Sequence, residues 1–406
     1  MGIKDCDILI SGGGVAGLTA AAAFGAAGFR LVLTDPSPPV TDAADASADL
    51  RTTAFLQPAQ QVLQEAGLWQ RLGPHATPLQ VMAIQDLSGT GPAPRHAFNA
   101  SDISERPFGW NLQNWLLRRE IVAHLADFPD VDFRPGVSTR QVLARDDAAR
   151  ITLSDGTSVA AQLVIAADGR GSQLREAAGI GVRKWRYGQK ALAFAATHPI
   201  PHENVSTEIH RAGGPFTLVP LPDHDGRPTS AVVWMERGPV ALRLAALPEH
   251  DFNAAMSERS GHLLGPLSLA TRRSIWPIIS QIADRFTDAR LALIAEAAHV
   301  VPPIGAQGLN MSLADIEALL RASYVAPLGS PEMLRRYQRA RYMEVHARVL
   351  GVDALNRASM SGSASIQRIR AEATRALHQI APIRRTAMRL GMGHGRVGLR
   401  PRCANS

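Results

Sequence analysis

The chain has 406 residues, 46% of them hydrophobic and 19% charged, and its formal net charge at pH 7 is +7. The length predicts two or three domains, and the composition excludes a fibrous or disordered protein. The two cysteines, Cys6 and Cys403, lie near opposite ends, which excludes a disulfide-stapled scaffold and a cysteine-based metal site. Because there is no signal peptide and no run of about 20 apolar residues, we expect a cytoplasmic protein without a transmembrane helix.

The N-terminal segment has the pattern of a β-strand, a helix and a second β-strand. An apolar run at 8–10 predicts a buried strand, an alanine-rich stretch at 15–27 predicts a helix, and "RLVLT" predicts the second strand. Gly28 follows the helix at a position where a left-handed residue commonly ends it. The segment therefore predicts a βαβ unit.

Glycines in the turn between this strand and helix match the GxGxxG pattern of dinucleotide-binding proteins. Gly12 allows the tight turn, Gly14 lets the backbone approach a pyrophosphate, and Gly17 lets the helix pack closely on the strand. The start of the helix offers backbone N–H groups to the phosphates. Asp35 ends the second strand, where it can accept hydrogen bonds from ribose hydroxyls. The pattern predicts dinucleotide binding but does not distinguish FAD from NAD.

The remainder of the chain alternates between helical and strand patterns. Helices are predicted at about 58–72, over "NWLLRREIVAHLADF" and from 309 onwards, and a hairpin over "ARITLSDGTSVAAQLVIAADG". The stretch "LQVMAIQDLSG" and residues 207–236 have strand character with turns between the strands. These last segments predict a separate antiparallel sheet.

Together the patterns predict an α/β fold with a discontinuous Rossmann-like domain, an inserted antiparallel β-sheet domain and a helical C-terminal tail. The Rossmann-like domain is predicted to comprise residues 1–76, 95–178 and 284–345. The β-rich domain is predicted to comprise residues 77–94 and 179–283, and the helical, basic C-terminal region residues 346–406.

Two later stretches each join a buried strand to a turn and a helix. In "LVIAADGRGSQLR" the strand ends at Asp168 and Gly169. In "LIAEAAHVVPPIGAQGLN" the acid Glu296 follows the strand, and Pro303 and small residues lead into the helix. A loop with so few side chains lets the backbone approach a ligand closely. The positive end of the helix dipole can stabilise negative charge on such a ligand.

These stretches, in this order along the chain, resemble the FAD-dependent aromatic-ring monooxygenases typified by p-hydroxybenzoate hydroxylase. The likeness is greatest to the hydroxylases of ubiquinone biosynthesis, and it extends from residue 3 to about residue 345. It implies that the dinucleotide is FAD and that the β-rich domain is the substrate domain. Arg51, Gln113 and Arg118 match further positions of that family that contact the cofactor.

The resemblance implies a cofactor site built from these turns and from the acids and cations beside them. The cofactor-binding residues that it implies are Gly12, Gly14, Val15, Ala16, Gly17, Asp35, Arg51, Gln113, Arg118, Asp168, Gly169, Glu296, Pro303, Gly305, Gln307, Gly308, Leu309 and Asn310. In that family the acid at Glu296 accepts hydrogen bonds from the ribityl chain, and the loop that follows borders the isoalloxazine ring. The chain departs from the family at two positions, with Ala295-Glu296 in place of Gly-Asp and Asp35 in place of Glu.

The resemblance also implies the reaction. NAD(P)H binds transiently and reduces FAD, reaction with O2 gives a C4a-hydroperoxyflavin, and one oxygen atom passes to an aromatic ring. The leading substrate is a polyprenylphenol of ubiquinone biosynthesis. Two alternatives stay open: hydroxylation of a small soluble phenol or an aromatic secondary metabolite, and a non-catalytic role as an FAD-binding member of a biosynthetic complex.

The sequence assigns no catalytic side chain and no metal site. The 13 histidines show no HExxH motif and no ligand-like pairing. His299 is interpreted as a structural residue of the flavin loop, and His210 as a solvent-facing residue of a strand. Phe216 and Trp234 could line the substrate pocket, but the core of the sheet is the preferred interpretation.

Basic charge is concentrated at the C-terminus. Residues 363–406 contain nine arginines and one glutamate, whereas the rest of the chain is nearly neutral. Apolar residues recur there at helical spacing, and Pro382 predicts a break between two helices. Such a region either packs on the body of the protein or serves as a peripheral contact to the inner face of a membrane or to a biosynthetic complex. Nucleic acid is not predicted as a partner, because the region has no binding motif.

Overall fold

The computed structural model describes residues 4–88 and 95–393. In this part of the chain the strands are β1 (Lys4–Ser11), β2 (Leu31–Asp35), β3 (Thr52–Leu56), β4 (Thr77–Leu79), β5 (Val81–Asp86), β6 (Arg95–Asn99), β7 (Gly109–Gln113), β8 (Val131–Pro135), β9 (Thr139–Ala144), β10 (Ala149–Leu153), β11 (Ser158–Ala166), β12 (Val182–Thr197), β13 (Val205–Arg211), β14 (Gly214–His224), β15 (Arg227–Arg237), β16 (Ser268–Leu269), β17 (Ser274–Ala283), β18 (Thr287–Asp288), β19 (Leu291–Leu293) and β20 (His299–Val300). The α-helices are α1 (Val15–Ala26), α2 (Gln57–Glu65), α3 (Trp69–Leu72), α4 (Asn114–Leu125), α5 (Gln173–Ala177), α6 (Gly238–Ala246), α7 (Glu249–Arg259), α8 (Gln307–Val325), α9 (Pro331–Met360), α10 (Ala364–Gln379) and α11 (Ala381–Met392).

The first sheet contains the predicted βαβ unit. Its strands lie in the order β18-β19-β11-β1-β2-β8, and the pairs from β19 to β8 are parallel. Ile8, Leu9 and Ile10 of β1 are fully buried, as expected for a central parallel strand. Helix α1 starts at Val15 as predicted, and Gly28 follows it with a φ of +82°. The carboxyl ends of β1, β2, β11 and β19 meet at one edge, which is where open α/β sheets bind ligands.

The second sheet is formed mainly by the predicted β-rich segments. Its strands lie in the order β20-β17-β12-β15-β14-β13-β5-β6, with β16 beside β12. Neighbouring strands are antiparallel except β5 and β13, which pair in parallel. The sheet predicted to be antiparallel is therefore mixed at this pair. The reason is that no hairpin joins β5 to β13, because the chain enters β5 from the first domain.

The second sheet buries apolar side chains on both of its faces. On one face Phe216 and Trp234 pack edge to face, with ring centroids 5.5 Å apart, against Phe252 of α7. The preference for placing these two aromatic residues in the core is confirmed. On the opposite face Ala191 and Met235 lie directly across from each other on β12 and β15.

His210 of β13 is buried, so the prediction of a solvent-facing histidine is wrong. Its Nε2 lies 2.9 Å from Glu208 Oε1, and its Nδ1 lies 3.4 Å from Ser359 Oγ of α9. The pattern of a single strand does not reveal a helix that arrives from far along the sequence and covers that strand.

The predicted domain bounds stay predictions, and three elements bear on them. Strand β6, predicted in the first domain, pairs with β5 in the second sheet. Strand β4, predicted in the β-rich domain, pairs with β7 in a small third sheet that also holds β3. Helix α9 runs without interruption across residue 345. Sheet pairing thus joins β4 and β6 to sheets other than those predicted for them, and α9 ends at Met360 rather than at residue 345.

The two C-terminal helices pack on the body through one face. Leu377, Met388 and Met392 contact an apolar cluster that contains Phe98 and Phe108. Pro382 lies in the first turn of α11, which confirms the predicted break between two helices. One face of these two helices is thus packed on the body of the protein, as one of the two interpretations expected.

Two ion pairs attach the same helices to the body. Arg370 of α10 binds Asp86 at 2.8 Å, and Arg384 of α11 lies 3.1 Å from Asp102. None of the described helices, including these two, is long and apolar enough to span a bilayer.

Candidate functional site

The backbones of β1, α1 and β11 approach so closely at the glycine turn that side chains do not fit between them. Gly12 has a φ of +113°, and a Cβ there would lie 2.3 Å from the carbonyl oxygen of Ala167. A Cβ on Gly17 would lie 1.8 Å from the carbonyl oxygen of Gly12. Gly14 is different, because a Cβ there would meet nothing within 4 Å. Gly14 therefore faces open space in front of the α1 N-terminus, where Val15 and Ala16 begin the helix.

Asp35 is held at the end of β2 by two backbone N–H groups. Gly13 N–H donates to Oδ2 at 2.6 Å, and Ser37 N–H donates to Oδ1 at 2.8 Å. Each carboxylate oxygen keeps a second lone pair, so both can still accept from ribose hydroxyls. Gly13 was not predicted as a site residue, although a Cβ there would lie only 2.9 Å from Asp35 Cβ. Its signal in the sequence is the run of three consecutive glycines.

The turn after β11 carries a buried acceptor without a partner. Leu174 N–H donates to Asp168 Oδ2 at 3.2 Å, whereas Asp168 Oδ1 is buried and has no hydrogen-bond partner among the described residues. Such an atom requires a donor from elsewhere, and a hydroxyl of a bound nucleotide would supply one. Gly169 follows with a φ of +82°, which favours glycine.

Arg175 connects this turn to the loop after β19. Its side chain is buried and donates to the carbonyl oxygen of Ala297 at 3.0 Å and to that of Arg170 at 3.2 Å. Arg175 belongs to the stretch "LVIAADGRGSQLR", but the sequence gives no sign that it binds the loop after β19, because its partner Ala297 lies 122 residues away.

Glu296 lies in a short 3-10 turn, Ala295–Ala297, with its side chain exposed. Ala295, where the family pattern has Gly, has a φ of +55°. This left-handed conformation costs an L-residue about 1 kcal/mol. The hydrogen bond with Asp49 raises the pKa of Arg51, and the charge of Glu296 adds to this effect. Glu296 therefore lies near enough to Arg51 for their charges to interact, although the two residues are distant in sequence.

Asp49, which was not predicted as a site residue, lies next to the predicted cations Arg51 and Arg118. It binds Arg51 at 2.7 Å, accepts from Asn114 Nδ2 at 3.0 Å and lies 3.9 Å from Arg118. Burial acts to raise the pKa of Asp49, but these partners outweigh it and hold the pKa below its usual value. Gln113 does not join this cluster through its side chain, because its Oε1 accepts from Trp115 Nε1 at 3.1 Å.

The N-terminus of α8 presents backbone rather than side chains. Gly305 and Ala306 have φ values of +62° and +56°, and no side chain caps the helix. The side chains of two predicted residues are used within the protein: Gln307 Nε2 donates to Gly305 O at 2.8 Å, and Asn310 Oδ1 accepts from Leu56 N at 2.8 Å. Gln307, the first residue of α8, can therefore offer only its backbone N–H to a ligand, whereas the backbone N–H of Asn310 lies a full turn into the helix.

The residues around this N-terminus leave space for a flat group. A Cβ on Gly308 would meet nothing within 4 Å. Pro303 and Leu309 are half-buried on either side of the turn. The turn resembles the opening of α1 in offering bare backbone and the positive end of a helix dipole.

No group of three or more His, Cys, Asp or Glu side chains in the described part of the chain could hold a metal ion. Burial raises the pKa of the Cys6 thiol to about 12, so this side chain stays protonated at neutral pH. His299 is buried and lies 2.7 Å from Asp315, where it contacts protein rather than a cleft.

The site therefore fits FAD on its own geometry. An open glycine turn and helix suit the pyrophosphate, Asp35 suits the ribose, and the unpartnered Asp168 oxygen and exposed Glu296 suit further hydroxyls. The uncapped α8 N-terminus suits the edge of a ring that becomes anionic on reduction.

Comparisons with known proteins agree with this geometry. The family described as FAD binding domain matches residues 5–350. The chain is 34% identical over 405 residues to ubiquinone hydroxylase UbiL of Rhodospirillum rubrum, covering 98% of this chain and 92% of that protein. It is 24% identical over 395 residues to 3-demethoxyubiquinol 3-hydroxylase of Escherichia coli, covering 95% and 98%. The solved structure of p-nitrophenol 4-monooxygenase PnpA from Pseudomonas putida has the same fold, with a TM-score of 0.77, 20% identity and coverage of 97% and 100%.

Replacement of Gly14 should separate cofactor binding from stability. The φ of −65° at Gly14 suits alanine, so Gly14→Ala should leave the free energy of unfolding of the apoprotein within about 0.5 kcal/mol of wild type. The added methyl group occupies the space in front of α1, so the Kd for FAD should rise about tenfold or more. Urea unfolding and fluorescence titration with FAD measure the two quantities.

Gly17→Ala is the matched control. Its Cβ would collide with backbone, so it should destabilise the apoprotein itself by about 3 kcal/mol. An unchanged Kd for FAD in Gly14→Ala would contradict the assignment of the open turn to the pyrophosphate.

Proposed function

The chain belongs to the FAD binding domain family and is an FAD-dependent hydroxylase, and from this premise we propose that its substrate is a polyprenylphenol of ubiquinone biosynthesis. Two of its relatives, from Rhodospirillum rubrum and Escherichia coli, carry names that describe hydroxylation in ubiquinone chemistry. The observation in the molecule that carries the proposal is an apolar face of the second sheet next to the loop that precedes α8.

This apolar face, the ring face, is formed by five residues on adjacent strands of the second sheet. They are Ala191, Val233, Met235, Trp276 and Ile278.

Ala191 lies opposite Met235 on β15 and opposite Trp276 on β17, so the three side chains form one row. Val301 and Ile304 of the loop before α8 pack against the ring face. A flat apolar ring placed between sheet and loop would lie beside the predicted flavin position.

Bound FAD, once reduced by NAD(P)H, supplies activated oxygen derived from O2. The chain's own residues have the tasks of binding the aromatic ring, orienting it and excluding water. The ring face is suited to the first and last of these tasks, because its side chains are apolar. Trp276 also stacks with the Arg51 guanidinium, 5.2 Å from the ring centroid. This contact supports the proposal, because Arg51 is one of the residues predicted to bind the cofactor.

No side chain is assigned as a general acid or base. His210 and His299 are both buried in contacts with acidic side chains, so neither is presented to the ring face. Transfer of an electrophilic oxygen to an electron-rich phenol makes positioning the main requirement, and positioning is what the apolar walls provide.

We expect purified protein reconstituted with FAD to oxidise NADH or NADPH faster when a prenylated phenol in detergent is present. In 18O2 the product should contain one labelled oxygen atom by mass spectrometry. Stimulation by soluble phenols but not by prenylated ones would favour the small-phenol alternative. Bound FAD without stimulated NAD(P)H oxidation by any phenol would favour a non-catalytic member of a biosynthetic complex.

Two alanine-to-valine substitutions on β12, one on each face of the sheet, test the ring face. The methyl groups added by Ala191→Val point into the ring face. This substitution should therefore lower kcat/KM about tenfold without changing flavin absorbance. Ala196→Val makes the same change in the core of the opposite face and should leave kcat/KM within about twofold. Equal effects of the two substitutions would contradict the placement of the substrate.

We further propose that α10 and α11 contact the surface of an anionic membrane peripherally. Ile369, Ile383 and Leu390 are exposed to solvent on the described part of these helices. Arg385 and Arg389 are exposed among them, which gives the outer surface a basic and apolar character. A polyprenylated substrate resides in the bilayer, so contact with the membrane would bring the enzyme to it.

Vesicle flotation tests this contact. The wild-type protein should float with vesicles that contain phosphatidylglycerol and not with pure phosphatidylcholine vesicles, because the outer surface is basic. The triple substitution Ile369→Ser, Ile383→Ser and Leu390→Ser should abolish flotation. A control triple at exposed apolar residues elsewhere, Leu143→Ser, Ile200→Ser and Val325→Ser, should not. Equal loss in both triples, or no flotation of the wild type, would contradict the proposal and leave a protein partner as the use of this surface.

A further inference from the structure

The loop between β19 and β20, with the strand residues at its two ends (residues 293–299), is held by hydrogen bonds from buried polar side chains of three separate elements. The Tyr337 hydroxyl of α9 donates to the carbonyl oxygen of Leu293 at 2.7 Å. Arg175 of α5 donates to the carbonyl oxygen of Ala297. Asp315 of α8 accepts from the backbone N–H of Ala295 at 3.0 Å. Three peptide groups at or beside the loop thus each have a buried side-chain partner.

Asp315 is the most heavily engaged of these side chains. It is fully buried, and its Oδ2 also lies 2.7 Å from His299 Nε2, while its Oδ1 accepts from Arg341 Nε at 2.8 Å. Arg341 in turn donates to the carbonyl oxygen of Met311 at 3.2 Å, which fixes the guanidinium to the same helix as Asp315.

Asp315 is ionised in the fold. Burial acts to raise the pKa of Asp315, but the charges of His299 and Arg341 outweigh it and hold the pKa below its usual value. Its hydrogen bond to the backbone of Ala295 is therefore charge-assisted, and such bonds are shorter and stronger than neutral ones.

Ala295 needs such a partner more than a glycine would. Its φ of +55° lies in the left-handed region, which glycine enters without steric cost and alanine does not. Ala295 is buried and precedes the exposed Glu296, so its backbone conformation sets the direction in which Glu296 leaves the turn. A different backbone conformation at Ala295 would therefore change the direction of the Glu296 side chain.

We propose that Asp315, held by His299 and Arg341, is a positioning residue that keeps Ala295 in the left-handed conformation and so directs Glu296 at the cofactor. The carboxylate does in this chain what a glycine does at the same position in the family pattern. The inference rests on the proposed role of Glu296 in FAD binding and is independent of the substrate, so substrate assays do not bear on it.

A double-mutant cycle on FAD affinity tests the proposal. Asp315→Asn should raise the Kd for FAD about tenfold when Ala295 is present, because the neutral amide accepts a weaker hydrogen bond. In the Ala295→Gly background the same substitution should raise the Kd less than about threefold, because glycine keeps the conformation without help. Ala295→Gly alone should leave the Kd within about twofold. Fluorescence titration of apoprotein with FAD gives all four values.

Equal losses in both backgrounds would overturn the proposal, because a merely structural role of Asp315 does not depend on the residue at 295. An unchanged Kd in Asp315→Asn would overturn it as well. Glu296→Gln distinguishes the proposed role of Glu296 in FAD binding from the proposed role of Asp315 in positioning Glu296. An unchanged Kd in that variant would contradict the role of Glu296 in FAD binding. A raised Kd that Asp315→Asn then raises no further would support the route through Glu296.

A second variant covers the case in which Asp315→Asn does not fold. His299→Leu removes one donor to Asp315 and leaves Arg341 in place. It should raise the Kd for FAD about threefold with Ala295 present and not measurably in the Ala295→Gly background. A rise of the same size in both backgrounds would overturn the proposal.

Discussion

The structure depends on one steric constraint, the contact of three backbone segments at the carboxyl edge of the first sheet. At Gly12 and Gly17 the space that a Cβ would need is occupied by carbonyl groups of Ala167 and Gly12. Because β1, β11 and α1 meet there without side chains, the N-terminus of α1 lies directly above the edge. The open side of Gly14 and the carboxylate of Asp35 then lie at the same edge of the sheet, an arrangement that suits a nucleotide.

A second set of contacts connects this edge of the sheet to the C-terminal part of the first domain. Arg175 joins the turn after β11 to the loop after β19, and Asp315 joins that loop to α8. Buried charges destabilise a protein unless they are paired and fully hydrogen-bonded. Here His299 and Arg341 pair Asp315. The network therefore favours one loop conformation, which a loop of small apolar residues would not specify alone.

The features that local chemistry controls could be predicted from the sequence. The start of α1, the end of β2 at Asp35 and the break at Pro382 all follow from turn, strand and helix signals within a few residues. The order of the motifs likewise indicated FAD, and the family match agrees.

The features that depend on distant partners could not be predicted. Alternation along β15 puts Trp234 and Met235 on opposite faces, but only the packed sheet shows that the Met235 face lies against the loop before α8. The parallel pairing of β5 with β13 and the burial of His210 under α9 arise from contacts between remote segments. Asp49 and Asp315 act on site residues through side-chain geometry that no local pattern records.

The most direct test of this account is a crystal structure of the chain with FAD bound. We predict the ribose hydroxyls within about 3 Å of the Asp35 carboxylate and the pyrophosphate at a similar distance from the backbone of the α1 N-terminus. The ribityl chain should reach Glu296, and the isoalloxazine ring should lie at the α8 N-terminus, beside the ring face of the second sheet and outside the space proposed for the substrate. FAD bound elsewhere, or no FAD bound at saturating concentration, would contradict the account.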